Sequence, residues 1–153
     1  MSAISKDPLA LRHAAEELTH DRGVVLAAVS KHGLAIRFAA EELQGDPELA
    51  LLAVSLHPFA LEYVAEELQS DRNLVLMAAA KEGYAIGYAS EELRSDREIV
   101  MAAVSQDSNA LLFASDILLE DETFAVEARQ VFYFFKIVAL SGRSCVVALP
   151  PIE

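Results

Sequence analysis

Cysteine is almost missing from this chain: Cys145 is the only one in 153 residues. A single thiol can form no internal disulfide and cannot build a cysteine-based zinc site, so a reducing intracellular compartment is expected. Bases are scarce as well. Twelve Lys and Arg face 24 Asp and Glu, for a net charge of −12. Phosphate backbones and anionic lipid surfaces repel such a chain, so nucleic acid is excluded as a partner and a basic protein surface is favoured. No apolar run approaches the roughly 18 residues that span a bilayer, so no direct membrane span is expected. The opening "MSAISKDPLALRHAAEEL" lacks the basic start and apolar block of a secretory signal. There is no nucleophile motif, phosphate-cradling glycine loop or dinucleotide fingerprint. The expectation is a non-enzyme, with no catalytic residue and no cofactor.

What the chain has is repetition. "EEL" stands at residues 16–18, 41–43, 66–68 and 91–93, and each interval is 25 (41−16, 66−41, 91−66). Other columns keep the same interval. Asp21, Asp46, Asp71, Asp96 and Asp121 form one, and Ala28, Ala53, Ala78, Ala103 and Ala128 form another. A fixed period of this length is the signature of stacked supersecondary units. Apolar residues make up 54% of the chain, enough for such units to bury a continuous core.

The unit at residues 21–45 reads as two short helices. Asp21 and its four copies are expected structural N-caps, since a carboxylate accepts the free N–H groups of a first helical turn. Pro47 supports this, because proline is favoured at the first helical position. Gly33 and Gly83 suit a left-handed C-terminal stop, while Pro8 and Pro58 in the same column suit the next helix start. "LAIRFAAEEL" then carries a broad apolar stripe at helical spacing. Helices this short are marginal alone and need stacking. The expected fold class is all-α: an α-solenoid of about ten short antiparallel helices in two-helix repeats. The alanine column lets helix axes approach closely, and Phe38, Tyr63, Tyr88 and Phe113 supply bulk between units.

The stretches "DRGVVLAAVSKHGLAIRFAAEEL", "DRNLVLMAAAKEGYAIGYASEEL" and "DREIVMAAVSQDSNALLFASDIL" resemble the short helical repeats of a family known only as a domain of unknown function, DUF4116. The shared pattern is an Asp-Arg start, an apolar stretch, a glycine turn, an aromatic, a small pair and "EEL". It covers residues 7–126. The resemblance implies a helical-repeat fold and brings no activity, cofactor or catalytic residue with it.

After Asp121 the register fails: Glu127 and Arg129 stand where earlier copies are apolar. The solenoid is therefore expected to occupy residues 7–130 and a separate tail residues 131–153. "VFYFFKIVALSGRSCVVALPPIE" is rich in β-branched and aromatic residues around a Ser-Gly-Arg turn. It reads as a β-hairpin with arms at residues 133–140 and 144–149. Its later part, "FKIVALSGRSCVVALPPIE", resembles the opening hairpin of ubiquitin-like domains. That implies either a chain cut just inside such a domain, or a hairpin packed on the solenoid end or on a partner.

The glutamate pairs need weighing as a metal ladder. Copies on stacked helices lie about 10 Å apart, too far to share an ion held at about 2.3–2.6 Å. No metal site is expected; the pairs read as a solvated face, with one glutamate of each leaning toward the next helix N-terminus or toward Arg22, Arg72 or Arg97. A carboxylate near a helix C-terminus opposes the macrodipole, so solvation alone does not account for them. His13, His20, His32 and His57 lack the close pairing of a helical zinc site. Cys145 sits in a predicted strand as a small apolar residue.

The functional expectation is a non-catalytic helical-repeat scaffold for protein–protein interaction. An accessory structural subunit of a large assembly is the first alternative, and an adaptor in ubiquitin-type signalling the second. Solenoids vary on the surface while the core stays fixed. Arg37, Glu62, Gly87 and Leu112 share a column and have little in common; Lys31 and Leu56 differ likewise. These six form the expected partner-contact surface, with the hairpin edge as a second contact.

Overall fold

The computed structural model describes residue 11, residue 13 and residues 15–141, with side chains as far as Val131. Within these residues the chain is helical throughout and holds no strand. Its α-helices are α1 (Glu16–Thr19), α2 (Arg22–Val29), α3 (Glu41–Gln44), α4 (Pro47–Leu56), α5 (Glu66–Gln69), α6 (Arg72–Lys81), α7 (Arg97–Gln106), α8 (Asp116–Leu119) and α9 (Glu122–Ser141). Between them lie 3₁₀ helices at Gly33–Phe38, Pro58–Tyr63, Gly83–Tyr88, Leu93–Ser95 and Ser108–Phe113.

The main helix of each repeat starts where the aspartate column places it. Asp46 Oδ1 accepts from the Glu48 and Leu49 N–H groups at 2.9 and 3.2 Å. Asp96 does the same for Glu98 and Ile99, Asp21 for Gly23 and Val24, and Asp121 for Thr123 and Phe124. Asp71 accepts from Leu74 alone. Each cap satisfies N–H groups that a first turn leaves unpaired.

The second half of the repeat departs from the expected ten-residue helix. The apolar stripe winds as a 3₁₀ helix from Gly33 to Phe38, the chain extends through Ala39 and Ala40 (ψ 155° and 151°), and a separate helical turn begins at Glu41. A 3₁₀ helix rises about 2.0 Å per residue against 1.5 Å for an α-helix, so six residues reach across the unit. Its carbonyl ends need donors, and a side chain supplies them. Gln44 Nε2 sits 3.1 Å from the Ala39 carbonyl and 3.4 Å from those of Ile36 and Arg37. Gln69 repeats this on Leu61, Glu62 and Val64.

The extended pair at the break has a second use. The Ala40 N–H donates to the Thr19 carbonyl of the preceding repeat at 3.0 Å. Ala65 to Gln44, Ser90 to Gln69 and Ser115 to Arg94 repeat the bond at 3.1, 3.1 and 3.0 Å. One backbone stitch thus joins each described repeat to the one before it. The main helices α2, α4, α6, α7 and α9 contact one another in sequence, and the 3₁₀ helices pack as a second row against them. The core lies between the rows. Val25, Ala28, Val29, Ala35 and Ile36, with their copies in the next three repeats, are nearly all fully buried, and no polar or charged residue is buried among the described residues.

Gly33 and Gly83 are not left-handed; no described glycine has a positive φ. The main helix ends through extended residues instead, His32 at φ −151° and Glu82 at φ −144°. The glycines serve close approach. A Cβ on Gly83 would stand 2.5 Å from the Ala103 carbonyl oxygen of the next repeat, and one on Gly33 would collide with Ala53. Pro58 and Ser108 hold the same column elsewhere, so this tightest contact belongs to two of the junctions.

At the C-terminal end the expected hairpin is not seen among the described residues. Residues 133–140 lie inside α9, a single helix that runs through residues 130 and 131, where the tail was expected to begin. The preceding aspartate explains why: Asp121 caps α9 as its copies cap the other main helices, and propagation beyond a formed first turn is favourable. The second arm, residues 144–149, and Cys145 lie outside the described residues.

The packing predicts opposite outcomes for two glycine substitutions. Gly83→Ala should lower stability by about 1–3 kcal/mol through overpacking. Gly45→Ala, whose Cβ meets nothing nearer than 3.6 Å, should be neutral or add about 0.4–1 kcal/mol through the unfolded state. Ala78→Leu, at a fully buried position, should cost about 1–3 kcal/mol. Urea denaturation of the three variants checks the set; equal effects of the two glycine changes would contradict it.

Candidate functional site

Three surface systems follow from the 25-residue register. The first is an ion-pair ladder along the N-terminal edge of the main helices. Arg22 Nε lies 2.7 Å from Asp46 and its Nη2 lies 2.5 Å from Glu48. Arg72 makes the same two contacts to Asp96 and Glu98. Arg97 reaches Glu127 at 2.9 Å and Thr123 at 3.0 Å. Pro47 interrupts the ladder, so Asp71 has no arginine in the equivalent place. The Arg22 guanidinium holds the Asp46 carboxyl below the usual range, helped by the Leu49 and Glu48 N–H groups. At Asp96, burial pushes the carboxyl up, and the Ile99 N–H and Arg72 together outweigh it. The arginines therefore serve the capping aspartates, and not the "EEL" glutamates as the sequence had suggested.

The glutamate pairs have a different position from the expected one. Because the chain breaks at residues 39–40, Glu41 and Glu42 open α3 and do not close a longer helix; Glu16-Glu17 and Glu66-Glu67 open α1 and α5. There they sit at the positive end of the local peptide dipoles, where carboxylates are favoured. All six are exposed. Among the described residues no group of three or more His, Cys, Asp or Glu could hold a metal ion.

The second system is the aromatic row. Phe38, Tyr63, Tyr88 and Phe113 are half-buried and pack against the core. The variable column covers it. The Arg37 guanidinium lies 5.0 Å from the Phe38 ring centre and 5.1 Å from that of Tyr63 in the next repeat. Glu62 raises the Tyr63 hydroxyl by hydrogen bonding, and raises Tyr88 further after burial has done so. Gly87 leaves the space that Phe113 fills, since a Cβ there would come within 2.9 Å of its ring. Three of the six positions expected to contact a partner therefore also contact the next repeat. The others differ: Leu56 and Leu112 are 45% and 80% exposed, and Lys31 is exposed.

The third system is a histidine pair at the junction of two repeats. The rings of His32 and His57 stack with centres 4.2 Å apart and planes 21° from parallel. The Gly33 N–H donates to His57 Nδ1 at 3.1 Å, which places the ring proton of neutral His57 on Nε2. Burial, and then the neighbouring His32, push the His57 pKa down. Protonation would remove the acceptor from Gly33 and set a cation against a second imidazole.

Sequence reading passed over two of these features although their signal was present. Arg22 to Asp46 and Arg72 to Asp96 are each 24 residues apart, one less than the period, and so bridge repeats. A third was taken for interior: Leu26, Leu51, Leu76, Met101 and Val126 fill one column with apolar residues, next to the buried column of Val25, yet Leu26, Leu51 and Val126 are exposed.

The His57 geometry sets a pH dependence. A base with a depressed folded-state pKa contributes its full stability above the unfolded value, 6.5, and loses it as pH falls from there toward the depressed value. The melting temperature should therefore drop between pH 7.5 and 5.5. His57→Asn, whose amide oxygen can still accept from Gly33, should flatten that slope. A wild-type slope retained in the variant would contradict the assignment.

No curated protein and no solved structure matches the chain. The domain of unknown function DUF4116 matches it over residues 1–44, 46–94, 71–119 and 96–128. The last three segments start 25 residues apart (71−46, 96−71), in step with the structural repeat. The chain therefore belongs to the DUF4116 family of helical repeats.

Proposed function

We propose that the chain is an α-solenoid with no catalytic role of its own, a scaffold whose surface binds other proteins. The observation that carries this reading is the separation of core from surface by column. In the four described repeats that begin at Asp21, Asp46, Asp71 and Asp96, the same apolar positions are buried, while the positions between them stay at the surface and differ in size and charge. Repetition then offers one extended surface on which contacts change without disturbing the core. Leu56 and Leu112, exposed apolar side chains on that surface, are of the kind that partners cover.

A second reading, an accessory subunit built into a larger assembly, draws support from the last described repeat. Leu112 and Ile117 are each 80% exposed there. Beside them a shallow groove is lined by Leu111, Leu119, Phe124, Ala125, Ala128 and Arg129. The ubiquitin-type adaptor reading rested on a hairpin whose first arm is helical, and nothing else supports it.

Leu56→Glu with Leu112→Glu tests the scaffold reading. Both side chains are exposed, so stability should stay within about 0.5 kcal/mol. Proteins that co-purify with the tagged wild-type chain should be recovered at least tenfold less with the variant. Unchanged recovery would contradict the scaffold reading, and one partner set at fixed stoichiometry would favour the subunit.

A further inference from the structure

The main helices α4, α6 and α7 each bury two adjacent pairs of positions, as Leu49, Ala50, Ala53 and Val54 do in α4. The residue between those pairs on the outer side, Leu51, is 53% exposed, and Leu26 and Val126 in the same column are 37% and 54% exposed. Leu76 and Met101 are half-buried. All five copies are apolar, although neighbouring outer columns have turned polar or vary: one reads Gly23, Glu48, Asn73, Glu98, Thr123 and another Ser30, Ser55, Ala80, Ser105, Gln130. Leu76 and Met101 pack in part against the core; Leu26, Leu51 and Val126 are exposed, and burial does not account for their staying apolar. Because α2, α4, α6, α7 and α9 pack side by side, these side chains form one apolar row across the stack.

The row has an acidic flank. Glu41, Glu42, Glu66, Glu67, Glu91 and Glu92 are all exposed, and each pair precedes the capping aspartate of a main helix by four or five residues. Glu48 stands one helical turn from Leu51 on the same face, and its side chain is 84% exposed. Arg22, Arg72 and Arg97 stand on the same edge but are already paired with Asp46, Glu48, Asp96, Glu98 and Glu127, and Lys31 and Lys81 lie at the opposite, C-terminal end of the main helices. The spacing selects a partner shape as well. Neighbouring helices lie about 8–10 Å apart, and seven residues of an α-helix advance about 10.5 Å. A helix laid along the row presents an apolar residue to each ridge every seven residues, with the intervening i+3 or i+4 position over the groove between ridges.

We infer that the row Leu26, Leu51, Leu76, Met101 and Val126 is a docking surface for a basic amphipathic helix of another protein. The apolar stripe of that helix lies on the row, and its Lys or Arg flank faces the glutamate edge. A second copy of this chain is the weaker occupant, because two chains of net charge −12 repel. The inference rests on the scaffold reading and sharpens it to one face and one partner chemistry.

The test uses the full chain and a labelled synthetic peptide of about 18 residues, long enough to cross about three ridges. The peptide carries Leu at i, i+3 or i+4, and i+7, and Lys along one flank. Fluorescence polarisation should show saturable one-to-one binding. Affinity should fall at least tenfold for a peptide with Glu in place of Lys and for a scrambled peptide of the same composition. Leu26→Gln with Leu51→Gln should weaken binding at least tenfold at an unchanged melting temperature. Leu51→Gln alone and Glu41→Gln with Glu42→Gln should each weaken it severalfold, which keeps the test open if the double leucine variant unfolds. Equal binding of the scrambled peptide would overturn the proposal, since charge alone would then explain it. A wild-type dimer that Leu51→Gln dissociates would assign the row to a second copy and overturn it too. Peptide binding that survives the row variants but is lost in Leu56→Glu with Leu112→Glu would overturn the row and leave the scaffold reading standing. Loss in neither set would sink both.

Discussion

The close approach of successive repeat backbones governs the rest of this structure. The core is wholly apolar among the described residues, and apolar burial has no direction of its own. Left to that force alone, the units could slide over one another. Small residues remove this freedom. The Ala28 column is buried at every copy, and Gly33 and Gly83 bring a 3₁₀ helix against the backbone of the next main helix. Only one register lets small residue meet backbone while Ile36, Leu61 and Ile86 fill the space beside it.

Polar groups at the edges reinforce that register without being buried. Asp46 and Asp96 each do two tasks: they cap their own helix and receive an arginine from the previous repeat. The extended residues 40, 65, 90 and 115 add one backbone bond per junction. Exposed ion pairs are individually weak. Their value here is positional, since an arginine that reaches one capping aspartate cannot reach its copy a repeat further on. Surface columns are then released from structural work. Their content, apolar in the row of Leu51 and mixed in the column of Leu112, can serve partners.

Periodicity and end signals were legible in the sequence. The interval of 25, the capping aspartates and the alanine column needed no coordinates, because each copy faces the same local problem. The division of the second half-repeat was not legible. "LAIRFAAEEL" has helical apolar spacing, and both 3₁₀ and α windings satisfy it; the break goes with the stitch from Ala40 to Thr19, which recurs at residues 65, 90 and 115, while Gln44 and Gln69 hold the 3₁₀ carbonyls in two of the copies. That misreading displaced the glutamates to the wrong end of a helix and made them seem unexplained. Gly33 was assigned to a left-handed stop because a sequence shows which backbone freedom glycine has, but not what lies 25 residues away in space. Residues 133–140 show the limit of propensity: β-branched and aromatic content pointed to a strand, and continuation from a capped helix prevailed.

Of the site, the variable column was legible, but its contact with the aromatic row was not. Arg37, Glu62 and Gly87 differ because each solves the cover of the next aromatic ring in its own way. The apolar row of Leu51 was visible in the letters. It was passed over because apolar residues in a helical stretch read as core until the buried face is known.

Native-state hydrogen exchange at the Ala65 and Ser90 amides tests the stitched array most directly. Both lie outside regular helices, and their only backbone acceptors are the Gln44 and Gln69 carbonyls of the preceding repeats. The account predicts protection close to that of the buried centres of α4 and α6. Exchange at the rate of an exposed loop, with α4 and α6 still protected, would show helices that form without being joined in this register.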